Sequence, residues 1–119
     1  MKARKLFFKE CHLAGRQYHD ADEVWDELKV GTVLELVRDN DNRFDPNAVA
    51  VMYRSEADGD EGPYLLGYIP RGENETIAQL LEMGWTDVFE CRISQLKPEE
   101  HYENQVRLTL RIRRNKNTR

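Results

Sequence analysis

The most informative segment of the sequence runs from Val37 to Val51 and reads Val-Arg-Asp-Asn-Asp-Asn-Arg-Phe-Asp-Pro-Asn-Ala-Val-Ala-Val. Asn and Asp side chains hydrogen-bond their own backbone and proline fixes one dihedral angle, so residues 39–47 predict a tight connection between two strands. Phe44 is unexpected in this segment, because a turn requires no aromatic residue. We therefore expect Phe44 either to pack inward against the fold or to bind a partner.

Six segments predict strands, because they are rich in β-branched, aromatic and alternating apolar residues. They are residues 3–13, 32–37, 48–53, 64–69, 87–94 and 104–113. Closing six short strands on themselves removes exposed sheet edges, so we predict a mainly β fold in the form of a small six-stranded β-barrel.

One clear helix is predicted over residues 74–83. Ile77, Leu80 and Leu81 fall on one face of this segment, and Gly84 follows as a helix terminator. A short helical turn is predicted over residues 21–28 from the spacing of its apolar side chains.

The chain of 119 residues has the size of one domain, which we place at residues 1–113. Residues 114–119 form a basic tail that we expect to be disordered, and residues 55–62 form an acidic surface loop. The apolar runs are too short for a membrane span or a signal peptide, so we predict a cytoplasmic protein without a membrane partner.

The formal net charge of −4 argues against a broad positive field for duplex DNA, because non-specific affinity depends on Lys and Arg neutralising phosphates. The average conceals a gradient along the chain. Residues 20–61 carry 13 acidic and 4 basic side chains, whereas the last nine residues carry five basic side chains and no acid. This gradient is compatible with a localised basic site.

The two cysteines, Cys11 and Cys91, are far apart in the sequence and form no CxxC motif. Each lies in an apolar, strand-like segment, so we expect both to be small buried hydrophobic residues.

No metal or catalytic motif is complete. Asp39, Asp41 and Asp45 resemble the start of a calcium loop, but the Gly and Glu that an EF-hand requires are missing. We predict no metal, no cofactor and no catalytic residues. A metal held between Asp39, Asp41 and Glu73 would be the basis of an alternative, hydrolytic function.

The segment from Leu66 to Asn74 suggests an anion site. Gly67 permits close backbone approach, and Arg71 stands just before a predicted helix N-terminus, where free N–H groups and the helix dipole favour phosphate. Arg71 would then bind phosphate oxygens through its planar fork. A solvated arginine after a strand is the alternative reading.

Three of these segments together resemble the HIRAN domain family. The likeness covers roughly residues 5–112 and is carried by a core pattern, N-x-[FY]-D-x-N-A followed by G-[YH]-[IL], in residues 42–48 and 67–69. Residues 14–19 complete it. The resemblance is to stand-alone bacterial members of a family that also occurs as an accessory domain in helicase-like transcription factor and related SNF2-type remodellers. It implies an OB-like β-barrel that holds the 3′ end of single-stranded DNA. We expect a helicase or nuclease to act in trans as a partner.

The resemblance also implies roles for individual residues. Tyr18 matches a base-stacking tyrosine, Phe44 matches the motif aromatic, and Asp45 matches the carboxylate that accepts the 3′-hydroxyl. Asn42 would help to hold that end, and Arg71 replaces a phosphate-binding lysine.

Two further residues of the predicted DNA site are Gln17 and Tyr68. Gln17 stands where the pattern usually has arginine, so one phosphate contact is absent, and Phe44 lacks the hydroxyl of the usual tyrosine. Tyr68 occupies the aromatic position of the second motif, although Tyr18 and Tyr68 both also suit ordinary aromatics at the rim of a barrel.

The residues themselves support the same function. An aromatic stacks on any base, and a carboxylate repels an internal phosphate but accepts a hydrogen bond from a terminal hydroxyl. Asp45 is equally suited to cap its own turn, and Asn42 and Asn47 to build it.

Our leading hypothesis is a non-catalytic module for single-stranded DNA ends in DNA repair or remodelling. The alternatives are a protein-interaction module, using the same face or the acidic loop, and a metal-dependent hydrolase acting on nucleic acid.

Overall fold

The computed structural model describes residues 4–56 and 62–115. Its six strands are β1 (Lys5–His12), β2 (Val33–Arg38), β3 (Val49–Arg54), β4 (Pro63–Tyr68), β5 (Phe89–Leu96) and β6 (Val106–Arg113). Its two α-helices are α1 (Ala21–Val24) and α2 (Glu75–Glu82), and three short 3₁₀ turns lie at Arg16–Tyr18, Trp25–Glu27 and Tyr102–Asn104. The predicted mainly β class, with six strands and one principal helix, is confirmed.

All strand pairs are antiparallel, and the strand order is β1-β6-β5-β2-β3-β4. The sheet is not closed as the predicted barrel would be, because β1 and β4 form no ladder with each other. Within the described ranges these edges are joined by a single bridge between Ala14 and Tyr68. The ladder cannot extend further, since the chain turns away at Gly15, whose φ is +71°.

The core is formed by side chains of the strands together with residues of α1 and α2. Its largest fully buried side chains are Leu13, Leu66, Ile69, Ile77, Ile93, Leu108 and Leu110. Helix α2 contributes Ile77 and Leu81 of the predicted apolar face together with Ala78, whereas the third predicted residue, Leu80, is only partly buried. Burial of this stripe, rather than the intrinsic propensity of eight residues, stabilises the helix.

Both cysteines are buried in this core, as the sequence predicted. Burial raises the pKa of the Cys11 thiol to about 11 and raises that of Cys91 further. Both thiols are therefore protonated and unreactive at neutral pH.

Several boundaries differ from the sequence prediction. Strand β5 begins at Phe89, two residues later than expected, because the chain from Gly84 to Val88 is used to leave α2. Strand β6 also begins later, at Val106, because a 3₁₀ turn precedes it and the Gln105 side chain donates to the Pro98 and Glu100 carbonyls, each at 3.0 Å. The turn predicted over 21–28 divides into α1 and a 3₁₀ turn.

Two predicted features lie largely outside the described residues. They are the acidic loop predicted at 55–62, of which 57–61 are outside, and the tail predicted at 114–119, of which 116–119 are outside. Where the acidic loop begins, the Ser55 hydroxyl donates to both carboxylate oxygens of Glu27, at 2.8 and 3.0 Å. The helices in the described parts of the chain have at most eight residues and are too short to span a membrane.

Candidate nucleic-acid interface

The loop between β2 and β3 is built by its own Asn and Asp side chains. The Asn42 Oδ1 atom accepts hydrogen bonds from the backbone N–H groups of Phe44 at 2.9 Å and Asp45 at 3.0 Å. The Asp45 Oδ1 atom accepts from the N–H of Asn47 at 2.9 Å. The turn-building function expected for Asn42 and Asp45 is thus present, and its effect is to fix the backbone on both sides of Phe44.

Phe44 points away from the protein. Its side chain is 83% exposed, so of the two alternatives that the sequence left open, inward packing against the fold is ruled out. The backbone N–H groups of Phe44, Asp45 and Asn47 donate hydrogen bonds to neighbouring side-chain oxygens, and these bonds fix the backbone that carries the ring. An ordered, exposed aromatic ring at a loop tip is typical of a binding surface.

Asp45 connects this loop to α2. Its Oδ2 atom accepts a hydrogen bond at 2.8 Å from the Nδ2 of Asn74, which is buried and immediately precedes the helix. An ionised carboxylate has about four lone-pair positions, and each Asp45 oxygen uses one of them within the protein. Asp45 can therefore accept a further hydrogen bond from a ligand hydroxyl while it holds the loop.

Arg38 closes the base of the same loop. Its guanidinium donates to the carbonyl of Pro46, to that of Ala48 at 3.2 Å and to that of Asp39 at 3.4 Å. Its Nε also lies 3.6 Å from a carboxylate oxygen of Glu82 in α2. Sequence reasoning missed this role, because an arginine at the end of a strand gives no signal of which carbonyls it will meet.

Tyr68 lies at the end of β4, between the loop and the first 3₁₀ turn. Its hydroxyl donates to the Oδ2 of Asp39 at 2.7 Å, and its ring meets the His19 ring edge-on at a centroid distance of 5.4 Å. Burial and the Asp39 carboxylate raise the pKa of Tyr68 to about 12, although a hydrogen bond with Asn42 acts in the opposite direction. The half-buried phenol is therefore neutral at physiological pH. Its ring lies at the bottom of the site and is not exposed for stacking.

Gly67 allows the first 3₁₀ turn to lie beside Tyr68. The backbone groups of Ala14 and Tyr68 exchange two hydrogen bonds of 2.8 and 2.9 Å. A Cβ atom at position 67 would lie 2.5 Å from the Ala14 carbonyl oxygen, which is closer than any real contact. The predicted close backbone approach is confirmed at this position, although its partner is the protein's own chain.

Tyr18 and Gln17 occupy the first 3₁₀ turn and are both exposed, Tyr18 to 76%. Tyr18 and Phe44 are thus two solvent-facing aromatics carried by segments that both border Tyr68. The structure brings these segments together, whereas the Tyr68 ring itself is only partly accessible.

Arg16 anchors that turn in a way the sequence did not reveal. Its guanidinium carbon lies 4.2 Å from the centre of the Trp25 ring and 5.0 Å from that of Tyr102, and its Nη2 lies 2.8 Å from an oxygen of Asp22. The side chain is only 4% exposed. A cation held between two aromatic rings fixes the backbone next to Tyr18.

Arg71 lies in the turn between β4 and α2. It is exposed and forms no ion pair with any residue in the described ranges. Glu73 N–H closes the turn on the Pro70 carbonyl at 3.0 Å, and Gly72 has a φ of +92°. Since the Asn74 side chain bonds Asp45 instead of capping α2, the first-turn N–H groups have no side-chain cap.

The metal alternative requires acidic residues that converge. The described parts of the chain contain no group of three or more His, Cys, Asp or Glu residues placed to hold a metal ion. Asp39 accepts from Tyr68, and the Glu73 carboxylate lies 3.7 Å from Lys9.

The fold and this arrangement define a small β module with an exposed aromatic and carboxylate loop. The chain belongs to the HIRAN domain family, whose model matches residues 6–113.

Known relatives support the assignment at different levels. The Fanconi-associated nuclease 1 homolog of Oryza sativa subsp. japonica is 30% identical over 92 residues, which are 77% of this chain but only 8% of that protein. Among solved structures, a protein from Lactobacillus plantarum has a TM-score of 0.71 at 23% identity, covering 92% of this chain and 97% of its own. The HIRAN domain of human HLTF has a TM-score of 0.56 at 15% identity, covering 95% and 84%. These structural likenesses concern the fold alone.

Proposed function

We propose that this domain is a non-catalytic module that binds single-stranded DNA at its 3′-hydroxyl end, in DNA repair or remodelling. The observation that carries the proposal is the pairing of Phe44, an exposed ring on a rigid loop, with Asp45, a carboxylate that keeps free acceptor positions. One side chain suits the face of a base and its neighbour suits a terminal hydroxyl.

Base stacking is assigned to Phe44 and Tyr18. Both rings are largely exposed and both are carried by backbone that other contacts hold in place. Stacking of a base on an aromatic is worth about 1–3 kcal/mol and tolerates any sequence. We therefore expect binding without strong sequence preference.

End recognition is assigned to Asp45, with Asn42 holding the loop in shape. A carboxylate accepts a hydrogen bond from a free 3′-hydroxyl, whereas an internal or terminal phosphate at the same position would be repelled. Asp45 is held by Asn74 and by the Asn47 N–H, so it cannot easily turn away from an approaching phosphate. This geometry favours a hydroxyl end over a phosphorylated one.

Phosphate contacts are assigned to Arg71 and to the uncapped first turn of α2. Helix N-terminal N–H groups attract anions, and the guanidinium group of an unpaired arginine near them can bind two phosphate oxygens. Gln17 offers a neutral hydrogen bond in place of an ionic one. The small number of cations near the site predicts modest affinity with a shallow salt dependence.

The relatives are consistent with a module that binds DNA ends on which a separate enzyme acts. The rice relative is named as a nuclease, and this chain matches only a small part of it. We infer that a helicase or nuclease, acting in trans, performs the chemistry, and that the domain described here supplies binding.

Fluorescence anisotropy with a linear single-stranded oligonucleotide and a circularised one of the same sequence tests the proposal. The linear strand is expected to bind at low salt, and the circular strand, which has no end, at least tenfold more weakly. Absence of binding to the linear strand would refute the proposed function, and equal binding of the two would refute end recognition.

A further inference from the structure

The outward face of strands β1, β6 and β5 carries a cluster of basic side chains. Val106, Leu108 and Leu110 of β6 are buried, so strand alternation directs the intervening side chains outward. The pairings of β6 with its two neighbours place further charged residues on the same face. We call this surface the basic face, and its cations are Lys5, Arg92, Arg107, Arg111 and Arg113.

Two carboxylates share the basic face and neutralise only part of it. Glu90 is buried between Lys5 and Arg92, and its Oε1 atom lies 3.1 Å from the Nε of Arg92. Glu10 lies 2.9 Å from the Nε of Arg107. The surface therefore combines five cations with two anions in a chain whose net charge is −4.

The excess positive charge is concentrated at one end of the face. Arg111 is exposed, and neither Arg111 nor Arg113 forms an ion pair within the described chain. They are two residues apart on one strand, a separation of about 7 Å, and Arg113 pairs in register with Lys5. The opposite end is less positive, because Glu100 lies near Arg107 around a surface depression.

The shape and composition of the basic face favour duplex backbone over single-stranded DNA. Three adjacent strands give a surface about 10 Å wide, and within it Phe7 is the one large exposed aromatic of the described residues. Single-strand sites combine a groove with several stacking aromatics, whereas duplex backbone contacts require mainly arginine and lysine. We propose that the basic face binds the phosphate backbone of duplex DNA. This binding is independent of the loop between β2 and β3, residues 39–48, which we call the end-binding loop.

The sheet separates the two surfaces. The end-binding loop joins β2 to β3 and borders β4, while the basic face lies on β1, β6 and β5 at the other end of the strand order. Duplex bound to the basic face and an end held at the loop would therefore contact different strands. This proposal stands whether or not the loop binds DNA ends.

The probe is a blunt duplex that carries a 3′-phosphate on both strands, so that no 3′-hydroxyl is present. Binding is measured by anisotropy between about 50 and 200 mM salt, where phosphate contacts dominate the affinity. Arg111→Glu is expected to weaken duplex binding at least fivefold and to lower the salt slope by about one unit. Arg71→Glu makes the same change in net charge at the other surface, and it should leave duplex binding unchanged.

Three results would overturn the proposal. They are the absence of duplex binding by the unchanged protein, equal losses in Arg111→Glu and Arg71→Glu, and complete displacement of the duplex by a short 3′-hydroxyl single strand. Since Arg111 is exposed, circular dichroism should show an unaltered fold in its variant. Retention of single-strand binding by Arg111→Glu would support separate surfaces and would separate this test from that of the end-binding loop.

Discussion

Asp45 in the β2–β3 loop accepts a 2.8 Å hydrogen bond from the buried amide of Asn74 at the start of α2. This contact ties the exposed Phe44 to the body of the domain through a residue that also faces the solvent. The carboxylate proposed to detect a DNA end is thus also a structural connection between two elements. Structural and functional effects at Asp45 must therefore be separated by experiment.

Exchanging Asp45 and Asn74 separates the structural effect of Asp45 from its proposed binding function. Asp45→Ala is expected to reduce the free energy of unfolding by about 1–3 kcal/mol, because it leaves the Asn74 amide without its partner. The double exchange Asp45→Asn with Asn74→Asp rebuilds the hydrogen bond with the carboxylate on the helix side. It should recover most of the stability in urea unfolding while losing preference for a 3′-hydroxyl. If the double variant keeps the full preference for a 3′-hydroxyl end, Asp45 does not recognise that end.

Phe44→Ala is expected to leave stability within about 0.5 kcal/mol of the unchanged protein, because an exposed side chain makes few contacts. Single-strand affinity should fall by about 1–3 kcal/mol through loss of stacking. Phe7→Ala is the matched control, since Phe7 is also exposed but lies on β1. Calorimetric titration that finds equal affinities for the two variants would contradict the assignment of Phe44.

Gly67→Ala is expected to destabilise the domain by about 1–3 kcal/mol through overpacking. The added Cβ would meet the Ala14 carbonyl at 2.5 Å and Leu13 Cδ1 at 2.9 Å, and the first of these is backbone that cannot rotate away. Thermal unfolding measures the loss. A Tm equal to that of the unchanged protein would contradict this close approach of Gly67 to Ala14.

The lowered pKa of Glu90 predicts that the free energy of unfolding falls at acid pH. Hydrogen bonds from Arg92 and Lys5 lower the pKa of Glu90 from 4.5 to about 2, so the folded state binds its proton less readily than the unfolded state. The stabilisation is therefore complete above about pH 5 and is lost as the pH falls toward 2. Urea unfolding at neutral and acid pH should show a smaller decline in Glu90→Gln than in the unchanged protein. Parallel declines would contradict this role.

The local chemistry of the sequence predicted the loop and much of the fold. Asn42, Asp45 and Pro46 act over a few residues, so the turn they form was predictable, and the apolar spacing of α2 was equally informative. Whether Phe44 faced inward or outward was not predictable, because that depends on whether the fold offers an apolar surface nearby.

Contacts between distant segments were not predictable. Arg16 meets Trp25 and Tyr102 only after three segments converge, and Arg38 meets the loop carbonyls only when the turn has formed. The open sheet edge and the basic face likewise depend on strand order and register. A net charge of −4 averages over these surfaces and conceals the local excess of arginine.

End recognition is tested by comparing the affinity for one single-stranded oligonucleotide with a 3′-hydroxyl with that for the same oligonucleotide with a 3′-phosphate at low salt. End recognition by Asp45 predicts at least tenfold tighter binding of the hydroxyl form, and it predicts that Asp45→Asn reduces this ratio toward one. Equal affinities of the unchanged protein for the two oligonucleotides would contradict the account.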